Sequence, residues 1–349
     1  MDVDVVIIGG GIVGLACASA VARAGKSTVT LERHRTLGAE TTSRSSEVIH
    51  AGLYYTPGSL KATTCVRGAD LLYEWCASRN VPHARCGKLI VATSVEETAK
   101  LDALADNARA NGASVERIDG AGARALEPEV ACVSALSSPN TGIVDSHALV
   151  ASLAAEVATH HGIVAIGRNL LSATRTDRWV LQCDGVAGHE EIRAPLVVNA
   201  AGLYADTVAS MFGASYAQRF VKGTYFRCKR RVVSRLVYPL PDAEGLGIHA
   251  TIDLAGSVRF GPDTSPAISR DDYALDESRR AAFASAVRRY IPSLGDDELA
   301  PDTCGIRPKV AGGDFVIERL GDAVHLVGIE SPGLTAALAI AERVVMLLS

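Results

Sequence analysis

The apolar positions of this chain come in continuous runs separated by small-residue helical stretches. The opening, DVDVVIIGGGIVGLACASAVARAGKSTVTLERH, places an apolar run at 3–8, continuous from Val5 to Ile8, a glycine turn, an alanine-rich helical stretch, and a second run that ends at Glu32. Runs that are apolar at every position, rather than at alternate ones, predict strands covered on both faces, so the segment reads as one βαβ unit. Downstream, the pattern predicts a helix over 59–78, a strand over 87–93 and an amphipathic helix over 94–111 that Gly112 stops. In GIVDSHALVASLAAEVATHHG a helix is opened by Asp145 or Ser146, and LVVNAAG at 196–202 reads as a buried parallel strand closed by small residues where it meets a ligand. The stretch 232–260 is strand-rich, and the final AVHLVGIESPGLTAALAIAERVVMLL repeats the strand, turn and helix order. The expected class is α/β, with a nucleotide-binding domain formed by 1–80, 145–213 and 311–349 and a second domain, 81–144 and 214–310, inserted twice.

Three glycines make the first unit specific. Gly9, Gly11 and Gly14 satisfy GxGxxG directly after the first strand and directly before the helix, which is the context the motif requires. Glu32 ends the second strand 18 residues beyond Gly14, where a carboxylate can accept from ribose hydroxyls. A second cluster, GAGARA from Gly120 to Ala125, imitates the fingerprint, but it follows the charged and poorly strand-like VERID and runs into Pro128. It is expected to be a turn before a short helix, without a nucleotide.

Composition narrows the function classes. The chain has 349 residues, 48% hydrophobic and 21% charged, long enough for two buried lobes and too apolar for extended disorder. A formal charge of −4 leaves no basic face for nucleic acid. The eight cysteines form no CxxC pair, which argues against a zinc knuckle, a redox dithiol and a disulfide scaffold; no metal is expected, and a reducing cytoplasm is the expected location. No basic leader precedes Val3 and no segment approaches the roughly 20 apolar residues of a membrane span. Any membrane contact, for instance at the inner membrane, is expected to be peripheral.

The stretch TTSRSSEVIHAGLYYTPGSLKA, 41–62, is richer in functional groups than a connecting loop needs. Together with VIIGGGIVGLA, CGKLIVAT, NTGIVDSHAL, VVNAAGLYAD, KGTYF, LGIHATIDLAGSVRFGPD, GIRPK, DFVI and GIESPGLTAALAIAE, it makes the chain resemble, nearly end to end, FAD-dependent oxidoreductases of the D-amino-acid oxidase type. Within them the chain is similar to the L-2-hydroxyglutarate dehydrogenase/oxidase branch. The resemblance implies a Rossmann-like FAD-binding domain with a doubly wound sheet and a second α+β substrate domain on a mostly antiparallel sheet. The chain departs from that branch at Ser45, where bacterial members usually carry Asn, and in shorter segments at 309–314 and before KGTYF.

For the cofactor, the resemblance implies that Gly9, Gly11 and Gly14 cradle the pyrophosphate, that Glu32 holds the adenosine ribose, and that the adjacent Arg33 also binds the cofactor. Thr42, Ser43, Arg44, Ser45 and Ser46 supply hydroxyls and one cation for the second phosphate and the ribityl chain. Ala200 and Gly202 end a strand at the cofactor, and Gly333, Leu334 and Thr335 open the last helix, whose N-terminus points at the flavin pyrimidine and favours an anionic reduced flavin.

A 2-hydroxy acid needs a cation for its carboxylate and a base for its hydroxyl proton. Arg307 is the first choice for the carboxylate because a guanidinium forks onto two oxygens, and Lys309 shares its face on a strand. His50 and His249 are the two candidate bases, with His50 favoured because it follows the phosphate loop. Related flavoproteins attach FAD through a histidine in a similar HAG setting, so a covalent link at His50 is an alternative. Tyr54, Tyr55 and Tyr225 are expected to roof the pocket. The leading expectation is oxidation of L-2-hydroxyglutarate by hydride transfer to flavin N5, with a quinone, a carrier or dioxygen as electron acceptor. The competing readings are an amine or amino-acid oxidase on the same fold and a flavin-binding partner or sensor without turnover.

Overall fold

The computed structural model describes residues 1–185, 188–240, 247–295 and 297–349. Residues 241–246, part of the strand-rich stretch and including the first residue of LGIHAT, lie outside the described residues.

Among the described residues, the first large sheet has six strands in the order Val316–Leu320, Ala323–Val327, Leu196–Asn199, Val5–Ile8, Thr28–Glu32 and Ile163–Ile166. All neighbours are parallel except the first pair. The unbroken apolar runs are explained by burial on both faces. Val5 and Ile7 join the core under the helices, whereas Val6 and Ile8 join the core on the opposite side, beneath the antiparallel strands Asn169–Arg175, Trp179–Gly185 and Gly188–Ala194.

The helical side is built by Ile12–Arg23, Leu60–Arg79, Ser146–Thr159 and Gly333–Leu348. Asp145 settles the choice left open at the third of these by accepting the His147 and Ala148 N–H groups at 2.9 Å. Gly68 lets the second and last of them touch: a Cβ there would sit 2.3 Å from the Thr335 carbonyl oxygen.

The second large sheet is mostly antiparallel, with one parallel pairing, Leu236–Pro239 on Lys88–Ala92. Its long ladder joins Arg219–Cys228 to Leu299–Lys309. Two expectations need correction here. Glu116–Asp119 does form a strand, pairing with Ser134–Ser138 at the sheet edge, because an edge strand needs only backbone partners and leaves charged side chains in solvent. The helix expected from Ser94 starts later, at Thr98, because the Glu97 carboxylate folds back onto the Thr93 N–H at 2.6 Å and holds the preceding residues in a turn. The second glycine cluster is a short helix, Gly120–Leu126, capped by Asp119.

Candidate active site

Val5–Ile8 lies between Thr28–Glu32 and Leu196–Asn199, so the chain departs from it in both directions and a crevice opens beyond its C-terminal end. Gly9 enters that crevice with φ +113°, and a Cβ on it would lie 2.4 Å from the Ala200 carbonyl oxygen. Gly14 presses closer still, 1.9 Å between an added Cβ and the Gly9 oxygen, which brings the helix Ile12–Arg23 up against the turn. That helix has no side-chain cap at Gly11; Thr42 Oγ1 accepts from Ile12 N–H at 3.2 Å. The other amides of its first turn are available to an anion. The carboxylate of Glu32 is held from two sides, Oε2 by Gly10 N–H and Oε1 by His34 N–H, both at 2.8 Å. Arg33 spans the Tyr204 ring at 3.8 Å and Glu40 at 2.6 Å.

From this turn a cavity of about 770 Å³ runs to the other sheet, at the upper end of the range for small-molecule sites. Thr42, Arg44, Ser45, Ser46, Ala200 and Gly202 line it, and Gly333 and Leu334 line it at the start of the last helix. Two residues assigned to the cofactor lie elsewhere. Ser43 turns its hydroxyl onto the Ala39 and Glu40 carbonyls, at 3.0 and 3.2 Å, and braces the loop from behind. Thr335 is fully buried, where it accepts the His50 N–H at 3.0 Å and donates to the Val48 carbonyl at 3.2 Å. His50 thereby hangs on the last helix, and its Nε2 lies 3.3 Å from Ser331 Oγ, just ahead of that helix.

At the far end the cavity meets Tyr54, Tyr55, Tyr225, His249, Arg307 and Lys309. Arg307 donates to the Asp263 carbonyl at 3.3 Å and to Thr264 Oγ1 at 3.4 Å; its Nε is buried without a partner, and among the described residues no carboxylate pairs with it. Lys309 shares its cavity face two residues on, as strand spacing requires, but lies 3.8 Å from Glu330, which also holds Lys61 at 2.8 Å. Burial lowers the Lys309 amine, against the pull of Glu330. Burial also carries the Tyr54 and Tyr55 hydroxyls far above their ordinary value and raises Tyr225, so all three are neutral donors. His50 is enclosed closely enough that desolvation, then the charges of Lys88 and His249, pushes its imidazole well below its usual range. His249 stacks on Tyr238, ring centroids 3.5 Å apart and planes 9° apart.

The structure adds Tyr238, Lys61 and Glu330 to the cavity wall. Lys61 and Glu330 stand inside stretches already singled out, GSLKA and ESPGLT, and their pairing across 269 residues has no local signature.

FAD fits this cradle on its own chemistry. Two glycines come closer to neighbouring backbone than any side chain permits, a capless helix offers amides for a pyrophosphate, the Glu32 carboxylate lines the cavity at the end of the second strand, and among the described residues Arg44 keeps a buried Nε without a partner. The last helix also begins without a side-chain cap, and its first two residues, Gly333 and Leu334, line the cavity.

Comparisons with known proteins agree with this reading. The family model for FAD dependent oxidoreductases, DAO, matches residues 4–347. The L-2-hydroxyglutarate dehydrogenase, mitochondrial, of Arabidopsis thaliana is 37% identical, covering 98% of this chain and 82% of the relative. That alignment runs over 399 positions against 349 residues here, so the relative carries segments with no counterpart in this chain. The human protein of the same name is 31% identical, with 97% and 86% covered. The structure of the dithionite-reduced L-alpha-glycerophosphate oxidase from Mycoplasma pneumoniae with FAD bound superposes with a TM-score of 0.93 at 25% identity, covering 100% of this chain and 95% of that one. The expectation of a cytoplasmic protein is overturned by these relatives, since the Arabidopsis and human proteins are both named mitochondrial. A lack of CxxC pairs does not tell one reducing compartment from another. With its fingerprint, its cradle and its full length all matched, the chain belongs to the DAO family of FAD-dependent oxidoreductases.

Proposed function

We propose that this enzyme oxidises L-2-hydroxyglutarate, or a close 2-hydroxy acid, to the 2-oxo acid. Bound FAD supplies the two-electron acceptor for the hydride that leaves C2. The rest falls to the chain. Arg307 forks onto the C1 carboxylate, with Lys309 on the same face of the strand, while Tyr54, Tyr55 and Tyr225 donate as neutral phenols and keep water away from the reacting carbon. His50 takes the hydroxyl proton at Nε2, beside Ser331, as the hydride departs, so that one proton and one hydride leave and a carbonyl forms. His249, stacked on Tyr238, is the second candidate for that proton. On this reading the cofactor-binding unit comprises 1–80, 145–213 and 311–349, the substrate unit comprises 81–144 and 214–310, and the electrons pass on to a quinone, a carrier or dioxygen.

One observation carries the reading: a guanidinium without a carboxylate partner and a depressed imidazole share one cavity with the first residues of the last helix. An amino-acid oxidase on the same fold needs the same carboxylate site, so the substrate is decided by experiment. The purified yellow protein is titrated anaerobically with L-2-hydroxyglutarate, its D isomer, lactate, L-glutamate and glycerol 3-phosphate while flavin absorbance is followed. Rapid bleaching by the L isomer supports the assignment. Bleaching by glutamate or glycerol 3-phosphate in its place transfers the activity to that substrate, and no bleaching by any of them favours a flavoprotein without turnover.

A further inference from the structure

Among the described residues, Lys88 has no counter-charge and its Nζ no hydrogen-bond partner. It opens the strand Lys88–Ala92, between Leu236–Pro239 and Ser134–Ser138, and is 1% exposed. The Tyr238 and Tyr54 rings face it, 4.3 and 5.2 Å from Nζ to the centroids, and the thiols of Cys65 and Cys86 and the imidazole of His50 lie within range of its charge. Tyr238 carries His249 stacked on it. The amine thus lies against two tyrosines that line the cavity, and one of them, Tyr238, touches both Lys88 and His249. Around His50 the other groups are the Ser331 and Thr335 hydroxyls and the Cys65 thiol, whose Sγ lies 3.6 Å from the His50 carbonyl oxygen. Glu330, the carboxylate on this part of the wall, is committed to Lys61. A buried cation without an anion is unfavourable to keep, so its position calls for a role in the cavity.

We propose that Lys88 is a positioning residue for the reaction: from its place against Tyr54 and Tyr238 in the cavity wall, its buried charge acts on His50, so that substrate meets a base able to take its proton. It does so through space and touches neither substrate nor cofactor. The direction of the effect agrees. After burial, Lys88 is the largest influence holding the His50 imidazole down, followed by His249. Burial brings the Lys88 amine to about 7, against the opposing pull of the two thiols, so it is charged throughout the acidic range where an ordinary imidazole would take a proton. The inference rests on the reading of His50 as the proton acceptor.

The test uses FAD-loaded protein and two readouts. Anaerobic flavin reduction by L-2-hydroxyglutarate is followed from about pH 5 to about pH 9, the range that brackets imidazole titration, for the wild type, Lys88→Met, Lys88→Arg and His50→Asn. The titration of the His50 imidazole is followed by NMR in the oxidised protein without substrate, with His50→Asn identifying its signal. Lys88→Met is expected to move both the acid limb of the rate and the His50 titration up by about one pH unit, the size of effect that one charge a few ångströms away exerts in a protein interior. Lys88→Arg, which keeps the charge, is expected to leave both low. If Lys88→Met does not retain FAD, Lys88→Gln replaces it. A limb and a titration that coincide with the wild type overturn the proposal. An acid limb that survives in His50→Asn sinks the reading of His50 instead, and the NMR titration still decides the role of Lys88.

Discussion

The hydroxyl of Thr335, inside the first turn of the last helix, accepts the backbone N–H of His50 at 3.0 Å and donates to the Val48 carbonyl at 3.2 Å. One fully buried side chain thus ties the candidate base to the helix whose first residues line the cavity. Thr335→Val keeps the shape and removes both bonds, leaving a buried donor and acceptor unpaired at a cost of about 1–3 kcal/mol. The holoprotein is expected to melt earlier, and flavin reduction is expected to slow about tenfold because the imidazole is no longer held in register. Thr335→Ser should restore both. Thermal unfolding and stopped-flow reduction check this, and a valine variant equal to the wild type in both would remove the link.

Arg307 keeps unused donor capacity in the cavity: among the described residues it has neutral acceptors at one end nitrogen and none at its buried Nε. Replacing it by Met removes a forked contact to a carboxylate, two charge-assisted bonds of about 1.5 kcal/mol or more each. KM for L-2-hydroxyglutarate is therefore expected to rise about 100-fold while flavin content stays at the wild-type level. Steady-state kinetics beside the flavin absorbance of the purified variant would show it. An unchanged KM takes Arg307 out of the carboxylate role.

The cofactor half of this site was legible because it is local. Strand, glycines, helix and Glu32 sit within one βαβ unit, and the backbone proximities they imply, Gly9 to Ala200 and Gly14 to Gly9, are what the fold contains. Arg307 and Lys309 were legible together for the same reason, since residues two apart on a strand share a face. The pairing of Lys61 with Glu330 and the stacking of Tyr238 on His249 were not legible, because each joins elements whose approach is set by the whole fold. Ser43 and Thr335 were read as cofactor ligands for their neighbourhood, and both turn away to satisfy backbone groups, a task that short hydroxyl side chains perform as readily as ligand binding. The signal for Lys88 was present in GKLIVAT, a lysine at the head of a strand otherwise apolar and buried throughout.

The glycine turn yields a prediction with no kinetic content. An added methyl at Gly14 would lie 1.9 Å from the Gly9 oxygen, a backbone atom that cannot rotate aside. Gly14→Ala is expected to fold with the helix pushed off the turn and to purify colourless or nearly so. Added FAD should bind at least tenfold more weakly than to the wild type, consistent with losing two or more hydrogen bonds to the pyrophosphate. Fluorescence quenching of FAD measures the affinity directly. Wild-type affinity in the alanine variant would mean that the phosphate is cradled elsewhere.

Stability against pH offers a separate view of Lys88. Its amine titrates at about 7 in the folded chain against an ordinary value of 10.5. Between these values the unfolded chain holds a proton that the folded chain has released, so stability rises with pH across that window. Below about 7 both states are protonated and the penalty of the buried charge is complete, of the order of several kcal/mol. Met fills the same space without a charge and removes the penalty. Lys88→Met is therefore expected to be more stable than the wild type at pH 7 and to lose that advantage progressively toward pH 10, while other titrating groups cancel in the difference. Denaturant unfolding of both holoproteins across that range gives the difference curve. Parallel curves, with no convergence above pH 7, would mean that the amine remains charged in the folded protein and has found an anion.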